Sequence, residues 1–145
     1  MSKEPQSCKT KFVLDHLEIP VLLYKHIFEL AGQASPKECV GFLAGISARR
    51  VSAVFPLSNI ASNAAGFYLA EPVGVIRALR AIKNQHLELV GIYHSHPQHE
   101  AVPSKTDLEK AAWDVPYLIL DVRANTARAW MLLGETFEVP VQITE

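Results

Sequence analysis

The sequence predicts an α/β or α+β fold, a sandwich of helices around one β-sheet. Three observations carry that expectation. Segments with helical hydrophobic spacing alternate with short apolar runs, and the chain closes with three consecutive strand candidates. With 145 residues, 49% hydrophobic and 20% charged, there is enough apolar material for one proper core.

Leu17-Glu18-Ile19 reads as a short strand, and Pro20 suits the first turn of the helix that follows. Leu23, Ile27 and Leu30 recur at helical spacing and give that helix a buried face. It should end near Gly32, before Pro36. Glu38 to Ile46 is an apolar run with two glycines, read as a buried strand. Val51, Ala53 and Phe55 alternate with Ser52 and Val54, predicting a second strand joined through the polar turn Ser47 to Arg50. Ser58 to Gly66 is rich in turn residues and should be a surface loop. Pro72 then opens a second helix, with Val75, Leu79 and Ile82 inward and Arg77, Arg80 and Lys83 off that face. Leu87 to Tyr93 is read as a central strand, Gln98 to Pro103 as a loop, and Ser104 to about Trp113 as a third helix. The closing strand candidates are Val115 to Val122, Thr126 to Leu132 and Glu135 to Ile143.

Residues 1–11 are polar and are expected to form a disordered tail, leaving residues 12–145 as a single domain. That tail lacks the apolar stretch of a signal peptide, and no apolar run approaches the roughly 20 residues needed to cross a bilayer. The expected location is cytoplasmic. A formal net charge of -1 gives no electrostatic reason to expect nucleic-acid or membrane partners. Cys8 and Cys39 suggest no disulfide framework, and Cys39, inside an apolar segment, is read as a buried structural cysteine.

The most informative stretch is His94-Ser95-His96-Pro97, followed by Ser104 and Asp107. Strand side chains alternate, so His94 and His96 project to one side and can share a cation. Pro97 ends the ladder and places the pair at a strand end, where a cleft can open. Ser104 and Asp107, three apart, lie on one side of the next helix, so Asp107 can complete a His/His/Asp set. Three such ligands with an open fourth position are the pattern of catalytic zinc. Glu38 opens an otherwise apolar strand, where a carboxylate is costly without solvent or a partner. Beside such a metal it could relay a proton from water to a departing amine. Ser104 could donate a hydrogen bond to a developing oxyanion. Each residue also has an ordinary alternative. Ser104 and Asp107 match a helix capping box, paired histidines are often structural, and a glutamate at a strand end is often simply solvated. His16, His26 and His86 are read as surface or helix-face residues. His99 is close enough to the cleft to touch substrate without being a ligand.

Taken together, three segments resemble the JAMM (MPN-plus) metalloprotease family in its compact prokaryotic form. They are Pro36-Lys37-Glu38-Cys39-Val40-Gly41-Phe42-Leu43-Ala44-Gly45, Tyr93-His94-Ser95-His96-Pro97 and Pro103-Ser104-Lys105-Thr106-Asp107. Asn59 to Pro72 also looks like the family's loop into its second helix. The resemblance implies a cytidine-deaminase-like fold with a curved mixed sheet flanked by helices. It implies Zn2+ held by His94, His96 and Asp107, with Glu38 as general acid/base and Ser104 stabilising the oxyanion. Deaminase chemistry is disfavoured, because the P-C-x-x-C element is absent. Only seven residues separate Asp107 from the strand candidate at Val115, so no insertion that grips a modifier is visible. The compact form looks like members acting on ubiquitin-like sulfur-carrier proteins at or after a C-terminal Gly-Gly. The alternatives are a non-catalytic scaffold module for such a partner, which the intact ligand set disfavours, and a RadC-type relative. The second is disfavoured by Ser95 between the histidines, the acidic balance and the lack of a preceding DNA-binding region.

Overall fold

The computed structural model of the chain describes residues 16–145. The expectation of a disordered tail over residues 1–11, and Cys8 with it, lies outside the described residues. The elements in order are β1 (Leu17–Pro20), α1 (Val21–Ala34), β2 (Val40–Gly45), β3 (Ala53–Leu57), α2 (Pro72–Asn84) and β4 (Glu88–His96). They continue with α3 (Lys105–Lys110), β5 (Tyr117–Asp121), β6 (Thr126–Met131), β7 (Phe137–Val139) and β8 (Val141–Thr144). Six strands form a mixed sheet in the order β3-β2-β4-β5-β6-β7, in which only β4 and β5 run parallel.

Two apolar layers sandwich this sheet. On one side α1 and the β1–β8 pair cover Leu43, Val90, Tyr93, Leu118 and Leu120, with Ile27 and Ala31 of α1 fully buried. Removing a side chain such as Ile27 from water contributes about 1.5–3 kcal/mol. On the other side Ala78 and Ile82 of α2 pack on Phe42, Ala44 and Ile92. The Arg77, Arg80 and Lys83 edge of α2 is exposed, as its periodicity predicts.

The end of α2 nearest the functional segments is well specified. Pro72 occupies the first turn, and the Glu71 carboxylate accepts hydrogen bonds from the Val73 and Gly74 amides, supplying the cap of the exposed first turn. By contrast α1 starts without a side-chain cap: Pro20 ends β1 and is itself the residue before the helix.

Three expectations are corrected. The fold has two sheets, because β1 forms its ladder with β8, in parallel, and meets the segment ahead of β3 only through a single bridge between Glu18 and Arg50. The run Glu135 to Ile143 is two strands, separated at Pro140, whose missing N–H ends β7. β8 then leaves the main sheet for β1, and the Pro140 carbonyl accepts from the Leu17 amide at 2.8 Å. The third helix stops at Lys110 instead of Trp113. Ala111 is already extended, and the Ala112 and Trp113 amides both donate to the Tyr117 hydroxyl, at 3.2 and 3.1 Å. The Trp113 ring is drawn edge-on against Phe42, with centroids 5.7 Å apart.

A register shift in the β2–β4 pair decides which face the histidines take. Leu43 pairs with Gly91 and Ala44 with Leu89, so Val90 has no opposite number in β2. This bulge moves the phase of β4 by one residue. Leu89 and Ile92 therefore pack on the α2 side, and Val90 and Tyr93 on the α1 side. His94 and His96 follow Ile92 by alternation.

Opposite Tyr93 stands Gly41, and a Cβ built there would overlap the Tyr93 ring. Both strands are central, so neither has room to retreat. Gly41→Ala should lower stability by about 1–3 kcal/mol through overpacking, read by thermal or urea unfolding. Combining it with Tyr93→Leu should recover part of that loss. A change under about 0.5 kcal/mol for Gly41→Ala would mean that the ring does not fix this register.

Candidate metal centre

The C-terminal end of β4 and the start of α3 bring the sequence-predicted residues together. His94 and His96 are buried at the strand end, and Asp107 is buried in the first turn of α3. This lies beyond the carboxyl ends of the two parallel strands, the usual place for a site in such a sheet.

His94 Nε2 and His96 Nε2 are 3.3 Å apart, and each lies 3.2 Å from Asp107 Oδ2. Donor atoms at about 2.0 Å from a tetrahedral ion stand about 3.3 Å from one another. The triangle therefore has the edge length of one face of a zinc tetrahedron. Three converging lone-pair atoms, walled from bulk solvent, fit a divalent cation bound by nitrogen and oxygen.

Neighbouring groups hold each ligand in place. The Glu100 carbonyl accepts from His96 Nδ1 at 2.7 Å, which leaves Nε2 with its lone pair free for the cation. The Tyr68 ring lies against His94, with centroids 4.7 Å apart. Asp107 Oδ2 accepts from the Ser104 amide at 2.9 Å, while Ser104 Oγ accepts from the Asp107 amide at 3.0 Å. This is the capping box that the sequence allowed, and it aims the carboxylate at the histidines. Capping uses only an acceptor site of Ser104. Its hydroxyl proton has no acceptor among the described residues, so capping and donation to a substrate are compatible.

Charge follows from the same contacts. In the metal-free protein, where the Nε2 atoms carry protons toward Asp107, burial alone would raise the Asp107 carboxyl, but the hydrogen bonds from His94 and His96 outweigh it and hold the group well below the usual carboxylate range. Burial lowers His94. For His96 burial also lowers, but the bonds to Asp107 and the Glu100 carbonyl prevail and raise it.

Glu38 lies two residues ahead of β2 and joins the site through the register of that strand. Gly41 faces Tyr93 and Val40 faces His94, so continuing the register sets Glu38 opposite His96 on the ligand face. The join is secured beyond the ladder: the Ser95 amide donates to the Cys39 carbonyl at 3.1 Å, and the Cys39 amide donates to Ser95 Oγ at 2.8 Å. Glu38 is 5% exposed, and its Oε1 has no hydrogen-bond partner among the described residues. Burial pushes its carboxyl up to about 7, against a smaller lowering by His96. Glu38, His96, His99 and Ser104 line one cleft of about 310 Å³.

Sequence reasoning assigned no role to Ser95, Tyr68 or Asn59. Asn59 is the hub of the loop that brings Tyr68 to His94. Its Nδ2 donates toward the carbonyls of Glu38, Ala64 and Phe67, and its Oδ1 accepts from the amides of Ala61 and Leu69. An asparagine inside a Ser/Asn/Ala/Gly loop was the available signal, since its amide can replace missing backbone partners. Cys39 is half-buried with a free thiol, and His16 and His26 pair with Glu18 and Glu29 away from the site. No helix among the described residues is long and apolar enough to cross a membrane.

Comparison with known proteins gives the chain its family. Residues 20–133 match the family model described as prokaryotic homologs of the JAB domain. A Thermus thermophilus protein named a probable TtuB-protein conjugate cleaving protease is 42% identical over 98 residues, 68% of this chain and 64% of that protein. The match thus spans just under two thirds of that relative's length. A Haloferax volcanii protein named desampylase is 40% identical over 111 residues, 74% of this chain and 80% of its own. The solved structure of a JAB1/MPN domain protein from Archaeoglobus fulgidus superposes with a TM-score of 0.56 at 22% identity, covering 87% of this chain and 99% of that one. The chain therefore belongs to the prokaryotic JAB-domain family.

Proposed function

We propose that the chain is a zinc metallopeptidase that hydrolyses a peptide or isopeptide bond at or after the C-terminal Gly-Gly of a ubiquitin-like sulfur-carrier protein. The observation that carries the reading is the buried His94/His96/Asp107 triangle with an unpartnered glutamate carboxyl on the same face. The names of the Thermus and Haloferax relatives support the conjugate-cleaving half of it.

His94, His96 and Asp107 would hold the zinc. Bound there, it supplies Lewis-acid polarisation of a carbonyl and acidifies water near neutral pH. The chain's own residues do the rest. Glu38, whose carboxyl sits near 7 in the metal-free protein, accepts the proton of the attacking water and returns it to the nitrogen of the leaving amine. The Ser104 hydroxyl donates to the carbonyl oxygen as negative charge grows on it. Gly-Gly suits the cleft because a backbone without side chains can pass close to the ligands.

Glu38→Gln keeps the shape and removes the proton carrier. Turnover of a carrier conjugate should fall by about 10²–10⁴-fold, while zinc content by elemental analysis stays near one per chain. Unchanged turnover would remove Glu38 from the mechanism and favour a scaffold role for this face.

The same substitution has a stability consequence in the metal-free protein. A carboxyl raised from 4.5 to about 7 means that the folded state binds more protons than the unfolded state between those values. Stability from this group falls as pH rises through that window. Metal-free Glu38→Gln should therefore be more stable than its parent above pH 7, by about 1–3 kcal/mol, with the gap closing below pH 4.5. A gap independent of pH would mean that the carboxylate is solvated.

Removing zinc with a chelator should abolish activity and lower the unfolding temperature, because binding to the folded state adds stability. Asp107→Ala should lose zinc and become insensitive to the chelator. It should also lose the carboxylate half of the capping box, the acceptor for the Ser104 amide, at about 1 kcal/mol. Full activity after complete metal removal would overturn the reading.

A further inference from the structure

We propose that an apolar cavity beside His94 is a side-chain subsite, taking one leucine- or phenylalanine-sized side chain of the carrier tail from the residue just ahead of Gly-Gly. The inference rests on the functional reading above and adds the part of the substrate that the enzyme reads. The cavity has a volume of about 160 Å³, with walls that include Phe42, Leu57, Tyr68, Val75, Ile92 and Trp113. An engineered apolar cavity of about 150 Å³ holds a benzene molecule, so this space fits one such side chain.

The space exists because of two features of the fold. Further along α2, Ala78 and Ile82 fill the same face of the sheet. Toward the metal centre, α3 ends after six residues, and the chain turns away through Ala111 to Trp113. Trp113 is 37% exposed and Leu69 49% exposed among the residues that line the opening. Lys110 also borders the opening, with its ammonium 4.6 Å from the centre of the Phe67 ring.

Tyr68 links the cavity to the chemistry. The ring that lies against His94 is also a wall of the cavity. The cleft lined by Glu38, His96 and Ser104 shares none of these walls, and the ring contacts Tyr68 to His94 and His94 to His96 run from one space to the other. An extended tail advances about 3.3 Å per residue. With two glycines over the histidines, the first side chain falls about 7 Å from the scissile bond, one ring beyond His94.

The preference for the carrier side follows from specificity. Glycines offer no side chain to fix register. An enzyme that releases one carrier from varied partners must read the constant half of the conjugate, and an apolar pocket discriminates by filling.

The test uses the full chain loaded with zinc and synthetic acetyl-Ala-Ala-Xaa-Gly-Gly peptides carrying a fluorogenic amide, with Xaa as leucine, phenylalanine or alanine. Leucine and phenylalanine should exceed alanine in kcat/KM by about 10- to 100-fold, mainly through KM. Binding is read separately on Glu38→Gln by methyl NMR, where the leucine peptide should shift Val75 and Ile92. Ala70→Phe, which fills the cavity, should bring the leucine-to-alanine ratio near one with zinc content retained. The proposal is overturned by leucine and alanine peptides that bind and react alike, by a ratio that survives the filled cavity, or by no peptide binding at all. It is equally overturned if the methyls respond only to leucine placed after the glycines. Peptides that shift the methyls selectively but are never cut support the subsite and sink the hydrolase reading instead.

Discussion

The site depends on the register between β2 and β4. Glu38, just ahead of β2, and the two histidines of β4 are more than fifty residues apart in sequence, and a slip of one residue would turn Glu38 to the opposite face. Two contacts hold that register. The Tyr93 ring needs a glycine at position 41, and Ser95 receives the Cys39 amide on its side chain just where the ladder ends. Ser95 sits between two ligands in sequence but points to the other side of the strand. There it locks the backbone that carries the glutamate. The residue between the histidines thus acts on the site through geometry alone.

That lock supports an arrangement that is poor for folding. Glu38 Oε1 and His94 Nδ1 are buried without partners among the described residues. Each such atom costs about 1–3 kcal/mol relative to its solvated state. Unpartnered polar groups at the one place where ligands converge are expected where function and stability compete. The compensation lies on the far side of the sheet, where Leu17, Ile19, Ile27, Leu43, Leu118 and Leu120 are all fully buried.

Much of this was legible in the residues. Helix α2 followed from Pro72 and a clean 3.6-residue pattern, and the convergence of His94, His96 and Asp107 from their spacing. The capping box and the metal ligand were posed as rivals for Asp107, yet the two are compatible, because one oxygen can accept from the Ser104 amide while facing the histidines. Other features were hidden for definite reasons. Simple alternation along Leu87 to Tyr93 puts Tyr93 with Leu89, and only the bulge at Val90 reverses that, with Gly91 its faint sequence mark. The early stop of α3 depends on a tyrosine hydroxyl four to five residues ahead, a tertiary contact that no local pattern records. The split at Pro140 was readable and was outweighed by the apolar run around it. Asn59 carries its five contacts from within a stretch that composition marks only as loop.

The two faces of the sheet follow different rules, and the bulge is where they are assigned. Without it, β4 would present Tyr93 to α2 and the imidazoles to the aliphatic layer under α1, where no carboxylate waits. With it, both histidines emerge on the side where α3 begins and where α2 and α3 leave a gap. A short α3 is then part of the same solution. Its first turn supplies Asp107, and its early end keeps the sheet open beside His94. Extending α3 by one more turn would leave the ligands in place and cover the apolar space next to them. The buried His94, His96 and Asp107 cluster and the opening beside it therefore come from one structural choice: a helix long enough to aim one carboxylate and too short to close the face.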